Sequence, residues 1–91
     1  MLLVDYSRQA AEFLEAIPEK HAGQIVRRIV GFAETPKVVP AEALRGYPGV
    51  MRLKAGEYRV IFSIFGEVMQ IRLIDRRNDD EIYKALRRLI N

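Results

Sequence analysis

The chain has 91 residues, of which 49% are hydrophobic, a formal net charge of +3, one histidine and no cysteine. This length predicts one small domain, residues 1–91, with a single modest core, and the residue content excludes disulfides, thiolate chemistry and most metal clusters, so we expect no metal ion or cofactor. Because the segment 1–7 lacks the pattern of a secretory leader and no segment approaches membrane-spanning length, we expect a soluble protein, compatible with a reducing cytoplasm.

The first part of the chain predicts a short strand followed by a helical hairpin. Residues 2–6 form the strand, Ser7 caps a helix that Pro18 ends, and a second helix runs over residues 19–34. Apolar residues recur at the helical period in both helices, so each should bury one stripe. The stripe residues are Ala10, Phe13, Leu14 and Ile17 in the first helix and Ala22, Ile25, Val26, Ile29, Val30 and Ala33 in the second.

The segment that follows the second helix is rich in turn-forming residues. Prolines and glycines recur over residues 36–49, which predicts a loop with room for one short helical turn at 41–44. His21, near the start of the second helix, has no partner in the sequence and is expected at the surface.

Residues 50–73 predict two consecutive β-hairpins. With Ala55-Gly56 as the first two-residue turn, Leu53 pairs with Tyr58 and Arg52 with Arg59. With Gly66-Glu67 as the second turn, the third strand keeps its apolar residues on the same side of the sheet. That register pairs Ile64 with Met69, Phe62 with Ile71 and Val60 with Leu73. One face is therefore a hydrophobic core, completed by Met51.

The other face of the predicted sheet is cationic. It gathers Arg52, Lys54, Arg59 and Arg72, with Arg76 and Arg77 at the end of the last strand. Residues 1–44 carry five cationic and six acidic side chains, whereas residues 45–91 carry ten and six. Like charges across a sheet are destabilising by up to ~1 kcal/mol, and only Glu57 is at hand to offset them. A bound phosphate chain would relieve this repulsion.

A final helix closes the chain. Asn78 can cap it with Glu81 three residues on, and apolar residues at 82, 86, 89 and 90 give it a buried side. The element order is therefore β-α-α-β-β-β-α, which predicts an α+β fold.

The loop motif LRG, the strand RLKAGEYRVIFSI and the closing RRNDDEIYKAL resemble the RelE/ParE superfamily of bacterial toxins from type II toxin–antitoxin systems. The resemblance covers nearly the whole chain and is strongest to the RelE branch, whose members cut messenger RNA in the ribosomal A site. It implies a small antiparallel sheet packed against an N-terminal helical hairpin. It also implies a cytoplasmic protein whose partners are the ribosome, messenger RNA and a cognate antitoxin in a hetero-oligomer, with no role for a membrane.

The resemblance also assigns candidate site residues. Arg52 falls where the RelE branch has a catalytic lysine, and Arg59 falls on its transition-state-stabilising arginine. Arg77 and Tyr83 match its C-terminal arginine and tyrosine, and Lys54 falls on a further basic position. Val50 stands where the RelE pattern has a second basic residue. Further RNA contacts are expected from Arg45, Arg72 and Arg76.

The general base is left open. A related subgroup uses a glutamate in the loop before the sheet, which makes Glu42 a candidate, although the catalytic histidine of that subgroup is missing here. Cations around Lys54 should lower its pKa, so it is a second candidate, and Glu57 is a third. Arginine stays protonated and serves as fixed charge on the phosphate, while Tyr83 stacks on a base or orients the 2′-hydroxyl. Such weak proton-transfer groups should depend on the ribosome to position the substrate, so free RNA should be cut slowly.

Plainer interpretations remain open. Basic residues on a sheet face are often solvated, Arg76 and Arg77 can pair with nearby aspartates, and Tyr83 can simply pack the last helix. Glu57 can pair with Lys54 across the hairpin. Two other functions also stay open: a ParE-like poison of DNA gyrase without nuclease chemistry, and a degenerate relative that only binds RNA or a partner, which the departure at Val50 permits.

Overall fold

The computed structural model describes the backbone of residues 1–76 and 79–90 and the side chains of residues 1–76 and 83–88. Over these ranges the elements are, in order, β1 (Leu3–Tyr6), α1 (Arg8–Ala16), α2 (Glu19–Glu34), β2 (Glu42–Ala43), β3 (Val50–Ala55), β4 (Tyr58–Phe65), β5 (Val68–Arg76) and α3 (Asp79–Ile90). Within the part of the chain so described, no helix is long and apolar enough to cross a bilayer.

The strands form one sheet in the order β1-β5-β4-β3-β2, in which β1 runs parallel to β5 and the other neighbours are antiparallel. The predicted α+β fold is confirmed, with a small sheet packed against the helical hairpin α1–α2. The sequence missed β2, because a loop or helical turn was expected at 41–44. Gly46 and Gly49 adopt φ angles of 84° and 79°, and this left-handed backbone turns the chain back so that Glu42 and Ala43 pair with β3.

The first hairpin has a different register from the predicted one. Its turn is Gly56-Glu57, so Ala55 pairs with Tyr58 and Leu53 with Val60. Gly56 has a φ of 61°, and glycine is the residue that takes this conformation at the first central position of a two-residue turn. The shift is two residues, which keeps every side chain on its predicted face.

The second hairpin turns at Gly66-Glu67 as predicted, and the pairing of Ile64 with Met69 and of Phe62 with Ile71 is confirmed. A β-bulge at Arg72 then moves Leu73 opposite Ile61 rather than Val60. Leu73 therefore leaves the core face predicted for it.

Side chains from α1 satisfy the outer edge of β5 beyond the end of β1. The Ser7 hydroxyl accepts from the backbone N–H of Ala10, which confirms it as the helix cap, and donates to the Arg72 carbonyl at 2.9 Å. The Gln9 amide donates to the Ile74 carbonyl at 2.9 Å and accepts from the Ile74 N–H at 3.0 Å. The outer edge of the bulged segment is thus hydrogen-bonded even though β1 does not extend alongside it.

The main core lies between the helical hairpin and one face of the sheet. Ile25, Ile29 and Ala33 are buried as predicted, but Val30 is 36% exposed and Phe32 is buried in its place. The Phe32 ring meets Phe62 edge-on at 4.8 Å between centroids. Ile64 is 41% exposed because it lies near the tip of the second hairpin.

A second cluster lies on the opposite face of the sheet, beneath α3. Its buried members are Leu44, Val50, Ile61, Leu73 and Leu86, with Tyr47, Tyr83 and Ala85 packed against them. Val50, the position where the resembled family has a charge, is 6% exposed here and belongs to this cluster. The face predicted to be cationic therefore has an apolar part and a charged part.

Candidate functional site

Three cations lie close together on the sheet face that also carries the second cluster. Arg52 and Lys54 are on β3 and Arg59 is on β4; we call these three the cationic cluster. Lys54 pairs directly with Arg59 across the ladder, so two residues of like charge occupy facing positions on neighbouring strands. This repulsion is an intrinsic cost of the site, and a bound anion would remove it.

Glu42 brings a negative charge to the edge of the cationic cluster. It pairs with Arg52 in the β2–β3 ladder and accepts a hydrogen bond from Arg52 Nη2 at 2.7 Å, while Lys54 Nζ lies 3.7 Å from its other oxygen. The hydrogen bond from Arg52, followed by the charge of Lys54, lowers the pKa of Glu42 from its ordinary value of 4.5. The sequence offered only Glu57 to offset the positive charges of this face. In the structure Glu42 also offsets them, as an ionised carboxylate.

The guanidinium of Arg59 is held by its own hairpin. Its Nη1 donates to the carbonyl oxygens of Gly56 at 3.2 Å and of Tyr58 at 3.0 Å. Asp75 lies opposite Arg59 on β5, and the Arg76 N–H donates to its carboxylate at 2.7 Å. Arg59 is thus half-buried and fixed in position, with a like charge on one side and a carboxylate on the other.

A cleft forms where α3 approaches the loop between β2 and β3. Its described lining is Tyr47, Tyr83, Lys84 and Arg87, which we call the tyrosine cleft. The two tyrosine rings are 5.9 Å apart between centroids and tilted by 39°. The sequence interpretation selected Tyr83 but missed the other three residues. The only signal in the sequence that Arg87 would line this cleft was its spacing of four residues from Tyr83, which places the two side chains on one face of α3.

Other predicted site residues lie elsewhere. Arg72 lines a separate depression with Asp5 and Ser7 near β1, two strands away from Arg52. Arg76 pairs with Tyr58, which puts it on the main-core side of the sheet rather than beside Arg59. Arg45 is exposed on the loop between β2 and β3. Arg77 lies outside the described residues, so the predicted convergence of Arg77 with the cationic cluster stays a prediction.

His21 lies away from this face. It is exposed as expected, and its Nδ1 lies 2.9 Å from the hydroxyl of Tyr58, a residue of the main core, a contact that the sequence did not indicate. Among the described residues, the candidate site therefore offers cations, the carboxylates of Glu42 and Asp75, and tyrosine rings. These groups suit phosphate binding and base stacking.

No family model matches the sequence, and no curated protein matches it. Solved structures do match. The isolated RelE toxin of E. coli is 19% identical over 100% of both chains, with a TM-score of 0.71. A RelE–RelB complex from the archaeon Pyrococcus horikoshii matches at 21% identity over 85% of this chain and 96% of the other, with a TM-score of 0.70. The chain therefore has the fold of the RelE toxins.

A chain of the chromosomal ParDE toxin–antitoxin system of P. aeruginosa is similar by a different measure. It is 29% identical over 86% of this chain and 98% of its own, but its TM-score is 0.59. Sequence identity is thus higher with the ParDE chain, whereas the backbone superposes better on RelE.

Proposed function

We propose that the protein, which has the fold of the RelE toxins, is the toxin of a type II toxin–antitoxin system and cleaves messenger RNA on the ribosome. The observation that carries this proposal is the cationic cluster, in which Lys54 and Arg59 face each other on adjacent strands. A fold that only needed a soluble surface would gain stability by separating these charges. An enzyme that grips a phosphate gains from keeping them together.

In the proposed reaction, the 2′-hydroxyl of the message attacks the adjacent phosphorus and the bond from phosphorus to the 5′-oxygen breaks, which leaves a 2′,3′-cyclic phosphate and a 5′-hydroxyl that takes its proton from solvent. Arg59 and Arg52 stabilise the charge that develops on the phosphate oxygens. Tyr83, half-buried at the mouth of the tyrosine cleft, orients the nucleotide. Arg77 is proposed as a further phosphate contact on the basis of the sequence resemblance.

The proton of the 2′-hydroxyl goes to either Glu42 or Lys54. In the free protein Arg52 lowers the pKa of Glu42, which weakens it as a base. A phosphate that draws Arg52 away from Glu42 would release the carboxylate and raise its pKa when substrate arrives. We therefore prefer Glu42, with Lys54 as the alternative.

The partners follow from the same proposal. Solved structures with this fold include complexes with RelB antitoxins from Pyrococcus horikoshii and Methanococcus jannaschii, and we propose a cognate antitoxin for this chain in a hetero-oligomer. The ribosome supplies the positioning that these proton-transfer groups lack, so the protein acts in the cytoplasm on translating message. Exposed Arg45 contacts RNA, and Arg72 and Arg76 are proposed as further RNA contacts that lie away from the cationic cluster.

The test is cleavage of message in a purified translation system, mapped by primer extension. We expect cuts in ribosome-bound message and few or none in free RNA. Arg59→Ala should lower the cleavage rate by roughly 100-fold or more, as loss of a transition-state donor does. Arg8→Ala is the matched control, because it removes the same charge from α1 at a side chain 92% exposed and away from the site. Undiminished cutting by Arg59→Ala would remove Arg59 from the mechanism.

A second candidate is a ParE-like poison of DNA gyrase, favoured by the 29% identity with the ParDE chain. The same preparation separates the two functions. Intact message together with inhibited supercoiling would support the gyrase poison, and intact message with retained RNA binding would support a relative that has lost catalysis.

A further inference from the structure

We propose that the tyrosine cleft binds one nucleotide of single-stranded RNA beside the cleaved position, with Tyr47 as a stacking surface and Arg87 as the phosphate contact. This inference rests on the proposed function, because it supplies a second subsite for the same RNA. It assigns roles to Tyr47, Lys84 and Arg87, residues outside the cationic cluster.

The chemistry of the cleft fits a nucleotide. Its volume of about 380 Å³ lies within the range of small-ligand sites, about 300–1,000 Å³. The described lining combines two aromatic rings with the basic side chains of Lys84 and Arg87. An aromatic ring stacks on any base and a cation contacts the adjacent phosphate, which is how proteins hold single strands.

The fold fixes the positions of the two tyrosine rings that line the cleft. Tyr47 and Tyr83 both pack on the second cluster, one from the loop between β2 and β3 and the other from α3. Their rings, 5.9 Å apart and tilted by 39°, lie at the wider end of aromatic pair spacings, about 4.5–7 Å. The tilt leaves the rings splayed rather than stacked on each other, so ring surface remains for a base.

The cleft also lies on the path of the RNA. Ile61, a buried member of the second cluster, is the direct cross-strand partner of Arg52. Tyr47 packs against the same cluster, so Arg52 and the tyrosine cleft adjoin one apolar cluster. The cationic cluster and the tyrosine cleft therefore lie on the same face of the sheet.

Equilibrium binding of a fluorescein-labelled oligoadenylate to the whole chain tests the proposal, with thermal unfolding of each variant as a check on folding. Tyr47→Leu keeps an apolar side chain over the second cluster but loses the ring, and should weaken binding roughly 5- to 150-fold, while Tyr47→Phe should bind as the wild type does. Because the chain has no tryptophan, tyrosine emission is directly visible, and oligoadenylate should quench it more than an abasic oligomer of the same length.

Arg87→Ala should weaken binding and lower the slope of log affinity against log salt by about 0.7, the value of one lost phosphate contact on a single strand. Arg88→Ala is the matched control, since Arg88 is equally exposed on the next position of α3 and does not line the cleft. Equal effects of the two variants, unchanged binding by Tyr47→Leu, or no oligonucleotide binding by the wild type would each overturn the subsite. Message cleavage is measured separately. If the protein cleaves message but its RNA affinity does not depend on Tyr47, the subsite alone is refuted. If RNA affinity depends on Tyr47 but message stays intact, the nuclease activity alone is refuted.

Discussion

Glu42 and Arg52 face each other across the β2–β3 ladder and share a 2.7 Å hydrogen bond, so the carboxylate occupies one of the donors best placed to hold a phosphate. The side chain of Arg52 is only 18% exposed, whereas that of Glu42 is 56% exposed. The glutamate is therefore the more accessible partner of the pair. In the proposed reaction, a substrate phosphate competes with Glu42 for the guanidinium of Arg52.

This competition makes a prediction for Glu42→Gln. Removing the negative charge takes away the carboxylate that competes with RNA phosphate at Arg52 and Lys54, so oligonucleotide affinity should rise by about 1.5- to 5-fold, the scale of one exposed ion pair. Cleavage should fall despite the tighter binding, because the proposed base is lost. Affinity is measured by fluorescence anisotropy and cleavage in the translation system. Cleavage at the wild-type rate would assign the base to Lys54, and weaker binding would contradict the competition itself.

The lowered pKa of Glu42 also predicts how its ion pair responds to pH. The folded pKa lies below the unfolded one, so the pair contributes stability that is complete above the ordinary value of 4.5 and is lost as the pH falls through the folded pKa. The Tm difference between wild type and Glu42→Gln should be constant near neutral pH and shrink in acid. A difference that grew as the pH was lowered below 4.5 would contradict this sign.

At position 59 we expect the planar shape of the guanidinium, and not only its positive charge, to matter for cleavage. Its Nη1 donates to two hairpin carbonyls, which restricts the orientation of the planar guanidinium. Arg59→Lys should retain the salt dependence of RNA binding but lose at least 10-fold in cleavage, because an ammonium ion lacks the fork that contacts two phosphate oxygens. Lys54→Arg is the reciprocal control. Equal cleavage by Arg59→Lys and wild type would show that charge alone suffices there.

Much of the fold follows from local sequence, but the register does not. Alternation of apolar residues assigned both faces of the hairpins correctly, yet two registers that differ by two residues give the same faces. Gly56 can take its left-handed conformation as either central residue of a two-residue turn, so residues 54–58 are compatible with both registers. The bulge at Arg72 was equally hidden, because the groups that stabilise it are on α1, 65 residues away in sequence.

The candidate site was predictable where it follows strand alternation. Arg52, Lys54 and Arg59 share a face because they alternate with core residues. The partnership of Glu42 with Arg52 depends instead on a two-residue strand, which is too short to carry a periodic signal. Tyr47 was missed for a related reason: loop residues have no periodicity, and its position beside Tyr83 depends on how α3 packs over the second cluster.

Gln9 is predicted to be a main support of the bulged strand. Its side chain makes two hydrogen bonds to the backbone of Ile74, one as donor and one as acceptor. Gln9→Ala removes both and leaves a partly buried N–H and carbonyl without protein partners, so the free energy of unfolding should fall by about 1–3 kcal/mol. Glu15→Ala, at an exposed position of the same helix, should change it by less than about 0.5 kcal/mol.

Gln9→Glu separates the two hydrogen bonds. The carboxylate can still accept from the Ile74 N–H but cannot donate to its carbonyl, so this variant should be less stable than wild type at neutral pH and should recover as acid protonates the side chain. Denaturant unfolding at two pH values measures the change. Since the bulge sets Leu73 beneath α3, Gln9→Ala should also loosen that helix, visible as faster amide exchange in residues 83–88 than in α2. Exchange in α3 that stays as slow as in wild type would separate the bulge from the packing of the last helix.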